Sequence, residues 1–176
     1  MAAKTYLIHN SAQVTTAAPV SQPTGTAIRT MMQLAPATGF PMRIIEWGCS
    51  FDGSAAATPG KVELFDNTVA ATMSTAFAAG DIQPYGDPNA PANSAGSSGI
   101  PLNLSTATSG FATAAVTEGT VANARQFDVQ LVAPTNQYLK QFPLGREPEV
   151  PAGHFLRVRM TFGTTVNAYI YIVVEF

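Results

Sequence analysis

The C-terminal stretch 155–176 is the part of the sequence that most constrains the fold. Apolar and polar residues alternate along 155–162 and again along 166–172, with three residues, 163–165, between the runs. Alternation with a period of two is typical of β-strands that bury one face. With a three-residue turn, the two runs are predicted to pair as a hairpin. The apolar pairs on one face are Phe162 with Val166, Met160 with Ala168, Val158 with Ile170, and Leu156 with Ile172.

The other face of this predicted hairpin carries arginine and tyrosine. Arg159 would lie opposite Tyr169, and Arg157 opposite Tyr171. Such pairs stack by cation–π contact, worth about 0.5–1 kcal/mol per exposed pair. The same two residue types are enriched at protein interfaces. The two interpretations are compatible, and the four residues are predicted to form a candidate contact surface.

Further alternating or β-branched runs predict strands along most of the chain. Within the run 42–51, Ile45, Trp47, Cys49 and Phe51 are predicted to share one face. The segment 68–80 fits either a short helix or a loop with buried apolar anchors. The other predicted strands are 4–9, 27–34, 61–65, 125–132 and 137–142. Within 125–132, Phe127, Val129 and Leu131 are predicted to point inward.

About eight strands with little helix predict an all-β fold. A chain of 176 residues fits one domain, so residues 1–176 are predicted to form a single antiparallel β-sandwich with long ordered loops. A jelly roll is one arrangement with this content. The strand order itself does not follow from the spacing of the strands.

Residues 81–124 interrupt the strand pattern with a tract rich in Pro, Gly, Ala, Ser and Thr. Loops of this length inside a compact domain are usually functional or held by partners. We therefore predict an arm that packs on its own body or on neighbouring subunits. Tyr85 and Asn89 are its candidate interface residues.

Low charge is the second constraint on function. Charged residues make up 11% of the chain, against roughly 25% in an ordinary soluble domain, and this suits a surface that lies against other protein. The nine Lys and Arg residues are scattered, so no nucleic-acid partner is predicted. No apolar run approaches the roughly 20 residues of a membrane span, and the N-terminus lacks a signal-peptide core. Synthesis in the cytoplasm and no membrane partner are predicted.

The residues that could support catalysis or metal binding are few. His9 and His154 accompany no nucleophile motif, and the single Cys49 is predicted to be a buried, inert thiol. The three residues also make a poor zinc ligand set. We predict no catalytic residue, metal or cofactor, and therefore no enzyme.

Four stretches carry a family resemblance. Residues 46–53 read Glu-Trp-Gly-Cys-Ser-Phe-Asp-Gly, 61–65 read Lys-Val-Glu-Leu-Phe, 84–91 read Pro-Tyr-Gly-Asp-Pro-Asn-Ala-Pro, and 133–147 begin Ala-Pro-Thr-Asn-Gln-Tyr. Together the stretches resemble small β-rich virion proteins of tailed bacteriophages, most like capsid decoration (cement) proteins.

The resemblance implies a structural role in the virion. Its expected partners are other copies of the chain, often three around a local symmetry axis, and a major capsid protein. A tail or major-shell component is the alternative within the class. A carbohydrate-binding or hydrolytic β-sandwich is the alternative from another class, and an exposed aromatic groove beside carboxylates would favour it.

Overall fold

The computed structural model describes residues 4–13, 16–54, 58–86 and 101–176. Strands dominate this part of the chain, and its one helical element is a 3₁₀ turn at Ala79–Asp81. The strands are β1 (Thr5–His9), β2 (Gln22–Pro23), β3 (Arg29–Leu34), β4 (Met42–Phe51), β5 (Gly60–Asn67), β6 (Thr75–Ala76), β7 (Ile82–Pro84), β8 (Gly110–Phe111), β9 (Arg125–Val132), β10 (Gln137–Gln141), β11 (Glu149–Val150), β12 (Phe155–Thr161) and β13 (Asn167–Glu175).

Two antiparallel sheets pack face to face, which confirms the predicted all-β sandwich. Sheet A has the order β10-β4-β13-β1-β7, with β11 beside β4 and β2 beside β13; sheet B has the order β6-β8-β3-β12-β5-β9. Eight of the described strands have five or more residues. If these eight long strands are numbered 1 to 8 along the chain, their order in sheet A is 6-3-8-1, which is β10, β4, β13 and β1. Their order in sheet B is 2-7-4-5, which is β3, β12, β5 and β9. This is the strand order of a jelly roll.

The predicted C-terminal hairpin is wrong. β12 lies in sheet B between β3 and β5, whereas β13 lies in sheet A between β4 and β1. Their apolar faces do point to the core: Leu156 and Ile172 are almost fully buried. In these two strands, the alternation of apolar and polar residues correctly identifies which side chains are buried. It does not distinguish two strands side by side in one sheet from two strands facing each other across a sandwich.

Two β-bulges change the predicted faces. In β4, Glu46 pairs with Val173 and Ile44 with Val174, so Ile45 is an extra residue and Ile44 is the one buried in the core. The prediction that Ile45 shares the face of Trp47 is therefore wrong, because a bulge shifts the alternation by one residue.

In β9 the prediction that Val129 and Leu131 point inward is also wrong, whereas Phe127 is partly buried and packs against the core. The register shifts around Phe127, and beyond it Asp128 is buried while Val129 and Leu131 are exposed by 47% and 74%. The physical reason is that β9 is an edge strand, whose inner face meets polar groups of the opposite sheet rather than the centre of the core.

The excursion between β5 and β9 packs on the body of its own subunit in its described parts, residues 68–86 and 101–124. Its short strands β6 and β8 extend sheet B beyond β3, and β7 extends sheet A beyond β1. The segment 68–80 is a loop with buried anchors rather than a helix, and Met73 and Phe77 are its anchors. The excursion thus covers one side of the sandwich. The opposite side ends in β9 of sheet B and β10 of sheet A.

Candidate functional site

The predicted Arg/Tyr surface is not assembled. Arg157 and Arg159 lie on β12 in sheet B, while Tyr169 and Tyr171 lie on β13 in sheet A. The outward faces of the two sheets point in opposite directions, so the arginines and tyrosines cannot form one surface. Each pair has a separate environment.

Arg157 is fully buried and belongs to the interior of the subunit. Its Nη2 donates to Glu118 Oε2 at 2.6 Å and to the Glu118 main-chain oxygen at 2.8 Å. Thr30 Oγ1 accepts from Nε and Nη2 of Arg157 and donates to Glu118 Oε2 at 2.7 Å. Burial lowers the pKa of Arg157. The facing Glu118 carboxylate acts in the opposite direction, because it stabilises the charged guanidinium. The ion pair fastens the excursion to sheet B.

Arg159 is also engaged within the subunit. Its Nε donates to Glu63 Oε2 at 3.0 Å, and its guanidinium carbon lies 4.7 Å from the centre of the Phe65 ring. Only 17% of the Arg159 side chain is exposed. The prediction of both arginines as contact residues for a partner is therefore corrected: each guanidinium pairs with a carboxylate of the chain itself.

The two tyrosines form an aromatic cluster with His9 on the outer face of sheet A. The His9 ring centre lies 5.0 Å from that of Tyr169 and 6.2 Å from that of Tyr171. The Tyr171 hydroxyl donates to Glu46 Oε1 at 2.6 Å. Burial, together with this carboxylate, raises the pKa of Tyr171. Burial also lowers the pKa of His9, so its imidazole is neutral at pH 7.

A glycine makes room for this cluster. A Cβ on Gly48 would lie 2.6 Å from Cε1 of Tyr171 and 2.8 Å from the main-chain oxygen of Tyr138. No side chain fits such distances, so Gly48 lets the Tyr171 ring approach the main chain of the central strand β4 closely.

A groove of about 720 Å³ opens beside the cluster on the same face. Ile45 and Val173 line it from β4 and β13, and Leu144 lines it from the loop after β10. Tyr85 lines the groove and is 63% exposed. The carboxylate of Glu175, 3.8 Å from Arg43, also lines it. Tyr85 is thus accessible, as a contact residue must be, whereas the candidate Asn89 lies outside the described residues.

The uncovered side of the sandwich is a second candidate surface, which sequence reasoning missed. β9 and β10 form its two edges, and no described segment pairs with the outer edge of either. Val129 and Leu131 project from β9 on the outer face of sheet B, with exposed fractions of 47% and 74%, and Leu139 projects from β10 on the outer face of sheet A, with an exposed fraction of 60%. Exposed apolar side chains on a free edge strand are a template for association. A signal was present in the sequence: Asp128 and Gln130 occupy the alternate positions of β9.

A buried carboxylate ties the two edges together. Asp128 of β9 accepts hydrogen bonds from Trp47 Nε1 at 3.2 Å, the Tyr138 hydroxyl at 2.6 Å and Gln130 Nε2 at 3.1 Å, and Lys140 Nζ lies 3.3 Å away. Burial by itself would raise the pKa of Asp128, but the hydrogen bonds and Lys140 lower it. The carboxylate is saturated with donors. Its role is to hold the sheets together, because no oxygen is left for a substrate.

Among the described residues, His154 and Arg125 share one carboxylate, that of Asp66. His154 Nδ1 lies 3.2 Å from Asp66 Oδ2, which also pairs with Arg125. Among the described residues, no three His, Cys, Asp or Glu side chains could hold a metal ion together. In the same part of the chain, no helix is long and apolar enough to cross a membrane.

Cys49 is buried, as predicted, and is 3% exposed. Burial raises the pKa of its thiol to about 12. Since the thiolate is the reactive form, we expect native protein to resist a thiol reagent at pH 8 and to react fully once unfolded in denaturant. Release of the reagent's chromophore measures both states. Rapid labelling of the folded protein would contradict this environment for Cys49.

Comparison with known proteins does not assign the chain to a family. No protein-family model, no curated protein and no solved structure matches the chain.

Proposed function

We propose that this protein is a non-enzymatic structural component of a tailed-phage virion, most like a capsid decoration protein that assembles as an oligomer on the shell. The observation that carries the assembly role is the uncovered edge strand β9, which exposes Val129 and Leu131. The phage context rests on the sequence resemblance described above.

The structure changes how such a subunit would work. The described part of the excursion packs on its own sheets, so it stiffens the subunit instead of reaching a neighbour. The buried Arg157–Glu118 pair holds the excursion on sheet B. On the opposite side of the sandwich, Asp128 links β9 to β10. A rigid sandwich with one open side suits a particle component, because little ordering entropy is lost when it binds.

The test is the location of the protein in particles of the phage that encodes it. Mass spectrometry of gradient-purified particles should find the protein in a fixed ratio to the major shell subunit. Antibody labelling in electron micrographs should decorate the shell evenly. Label on the tail alone would favour the tail alternative, and absence from purified particles would overturn the virion role.

Carbohydrate binding stays as a second candidate because of the groove on sheet A. Tyr85 exposes an aromatic ring there, and Glu147 and Glu175 line the same groove. Sugars stack on such rings and donate hydrogen bonds to carboxylates. A glycan that binds the native protein and is lost in Tyr85→Ala, while Val121→Ala keeps it, would favour this function. Binding that survives Tyr85→Ala would remove the groove from consideration.

A further inference from the structure

We propose that β9 is a self-association edge: it pairs antiparallel with β9 of a second copy, so that sheet B continues across a two-fold axis. This inference rests on the proposed role as an assembling subunit and names the surface and the partner. Val129 and Leu131 are its central side chains, and both are exposed in the single subunit.

The contrast between the two sides of the sandwich is the first argument. On one side β6 and β7, both from the excursion, occupy the ends of sheets B and A. On the other side β9, a strand of eight residues, ends sheet B: it pairs with β5 on one edge, and no described strand pairs with its outer edge. Monomeric proteins usually protect a long edge strand with proline, lysine, a bulge or a covering segment. β9 contains neither proline nor lysine, and its bulge lies near its start.

Charge is the second argument for a copy of the same chain. Over 126–132 the only ionisable side chain is Asp128, which is buried and faces Lys140 across the gap between the sheets. An edge without exposed charge meets an identical edge without like-charge repulsion, so self-pairing costs little electrostatically.

The bulge selects the register of the pairing. Regular pairing with β5 runs without interruption over 128–132, so this stretch can add a further strand. A two-fold axis through Gln130, its central residue, sets Val129 of one copy against Leu131 of the other on the outer face. An axis through Asp128 would oppose two carboxylates, and an axis through Val129 would place the bulged Phe127 in the ladder. The axis through Gln130 avoids both problems.

The area fits a weak, reversible dimer. The paired stretch 128–132 has five residues at about 3.3 Å each and is about 17 Å long, and two sheets about 10 Å apart, with their outer side chains, make a wall about 20 Å wide. Two copies then bury about 700 Å² in total, which is the size of a weak, transient contact. We therefore expect dimerisation that depends on concentration.

Sedimentation velocity over a concentration series tests the surface. The native protein should shift from monomer to dimer, and Leu131→Lys should weaken the association at least about tenfold. Ile28→Lys is the matched control: it adds the same charge at a 46% exposed apolar residue, but beside β3 in the middle of sheet B. A native protein that stays monomeric up to about 100 µM, or equal weakening by both variants, would overturn the proposal.

A disulfide tests the register. Gln130→Cys should form a covalent dimer on mild oxidation, because residues opposite each other in an antiparallel pair have Cα atoms about 4.5–5.5 Å apart, within disulfide range. Cys49 does not interfere because it is buried. Gln137→Cys, at an exposed position of β10, is the control for random collision. Equal cross-linking of both variants, or none at residue 130, would contradict this register.

These results separate the interface from the virion role. A protein that fails to dimerise through β9 but is present on particles would overturn the interface alone. A β9 dimer that is absent from particles would support the interface and overturn the virion role.

Discussion

Replacing Glu118 with alanine should lower the free energy of unfolding by about 3 kcal/mol. The substitution leaves the guanidinium of Arg157 inside the protein without its carboxylate, and Arg157 Nη1 already lacks a hydrogen-bond partner among the described residues. We expect the lower end of the range for broken buried ion pairs, because Glu118 is 23% exposed and Thr30 Oγ1 still accepts from Arg157. Urea denaturation followed by circular dichroism measures the change.

Two further variants make this result specific. Thr117→Ala removes an exposed side chain one residue away and should change the stability by less than about 0.5 kcal/mol. Adding Arg157→Met to Glu118→Ala should recover part of the loss, because no charge then remains buried. A single variant as stable as the native protein, or a double variant worse than the sum of its parts, would show that the pair does not fasten the excursion.

Replacing Asp128 with alanine should cost about 2–4 kcal/mol, because buried donors then lose their acceptor. Trp47 Nε1 and the Tyr138 hydroxyl both donate to this carboxylate, and Lys140 balances its charge. Without the carboxylate, β9 and β10 have no ionic link across the open side. The same denaturation experiment measures the loss. Gln137→Ala, an exposed position on β10, is the control and should have little effect.

Acid should weaken the native protein through the same carboxylate. The folded-state pKa of Asp128 is lowered relative to its unfolded value, which is about 3.9. Its contribution to stability is therefore complete above the unfolded pKa and disappears as the pH falls through the folded pKa. Asp128→Asn should lack this part of the acid dependence. Parallel loss of stability below about pH 4 in Asp128→Asn and native protein would contradict the role of Asp128.

Asp128 should matter for self-association as well as for the stability of the fold. Asp128 holds β9 and β10 in place at the surface that we propose for self-association. A variant at Asp128 should therefore weaken dimerisation as well as folding, whereas Glu118→Ala, on the outer face of sheet B toward the excursion, should affect folding only. This difference separates the two positions in one sedimentation experiment.

The fold class could be predicted from the sequence, and the candidate site could not. Alternation in 155–162 and 166–172 correctly identified the buried faces of β12 and β13, since Leu156, Val158, Ile170 and Ile172 are all in the core. The candidate surface failed because it assumed that the two strands are neighbours. Arg157 has a polar neighbourhood only because Glu118 returns from the excursion, 39 residues away in sequence.

β9 shows the same limit in a single strand. Its apolar residues Phe127, Val129 and Leu131 look like a core face, but only Phe127 packs against the core. In this protein Asp128 lies on the buried face because Trp47, Tyr138 and Lys140 offer it donors across the gap between the sheets. Those partners come from β4 and β10, and the order of strands that brings them together is not encoded in local alternation.

The sequence by itself determined the long strands, the buried faces of β12 and β13 and the low charge, because a strand's period and composition are local properties. The tertiary structure alone decided that the strands form a jelly roll, that Arg157 is inside, that the excursion covers one side, and that β9 is left open. These features depend on pairing between distant segments, where the best-satisfied set of hydrogen bonds and buried faces is chosen over the whole chain.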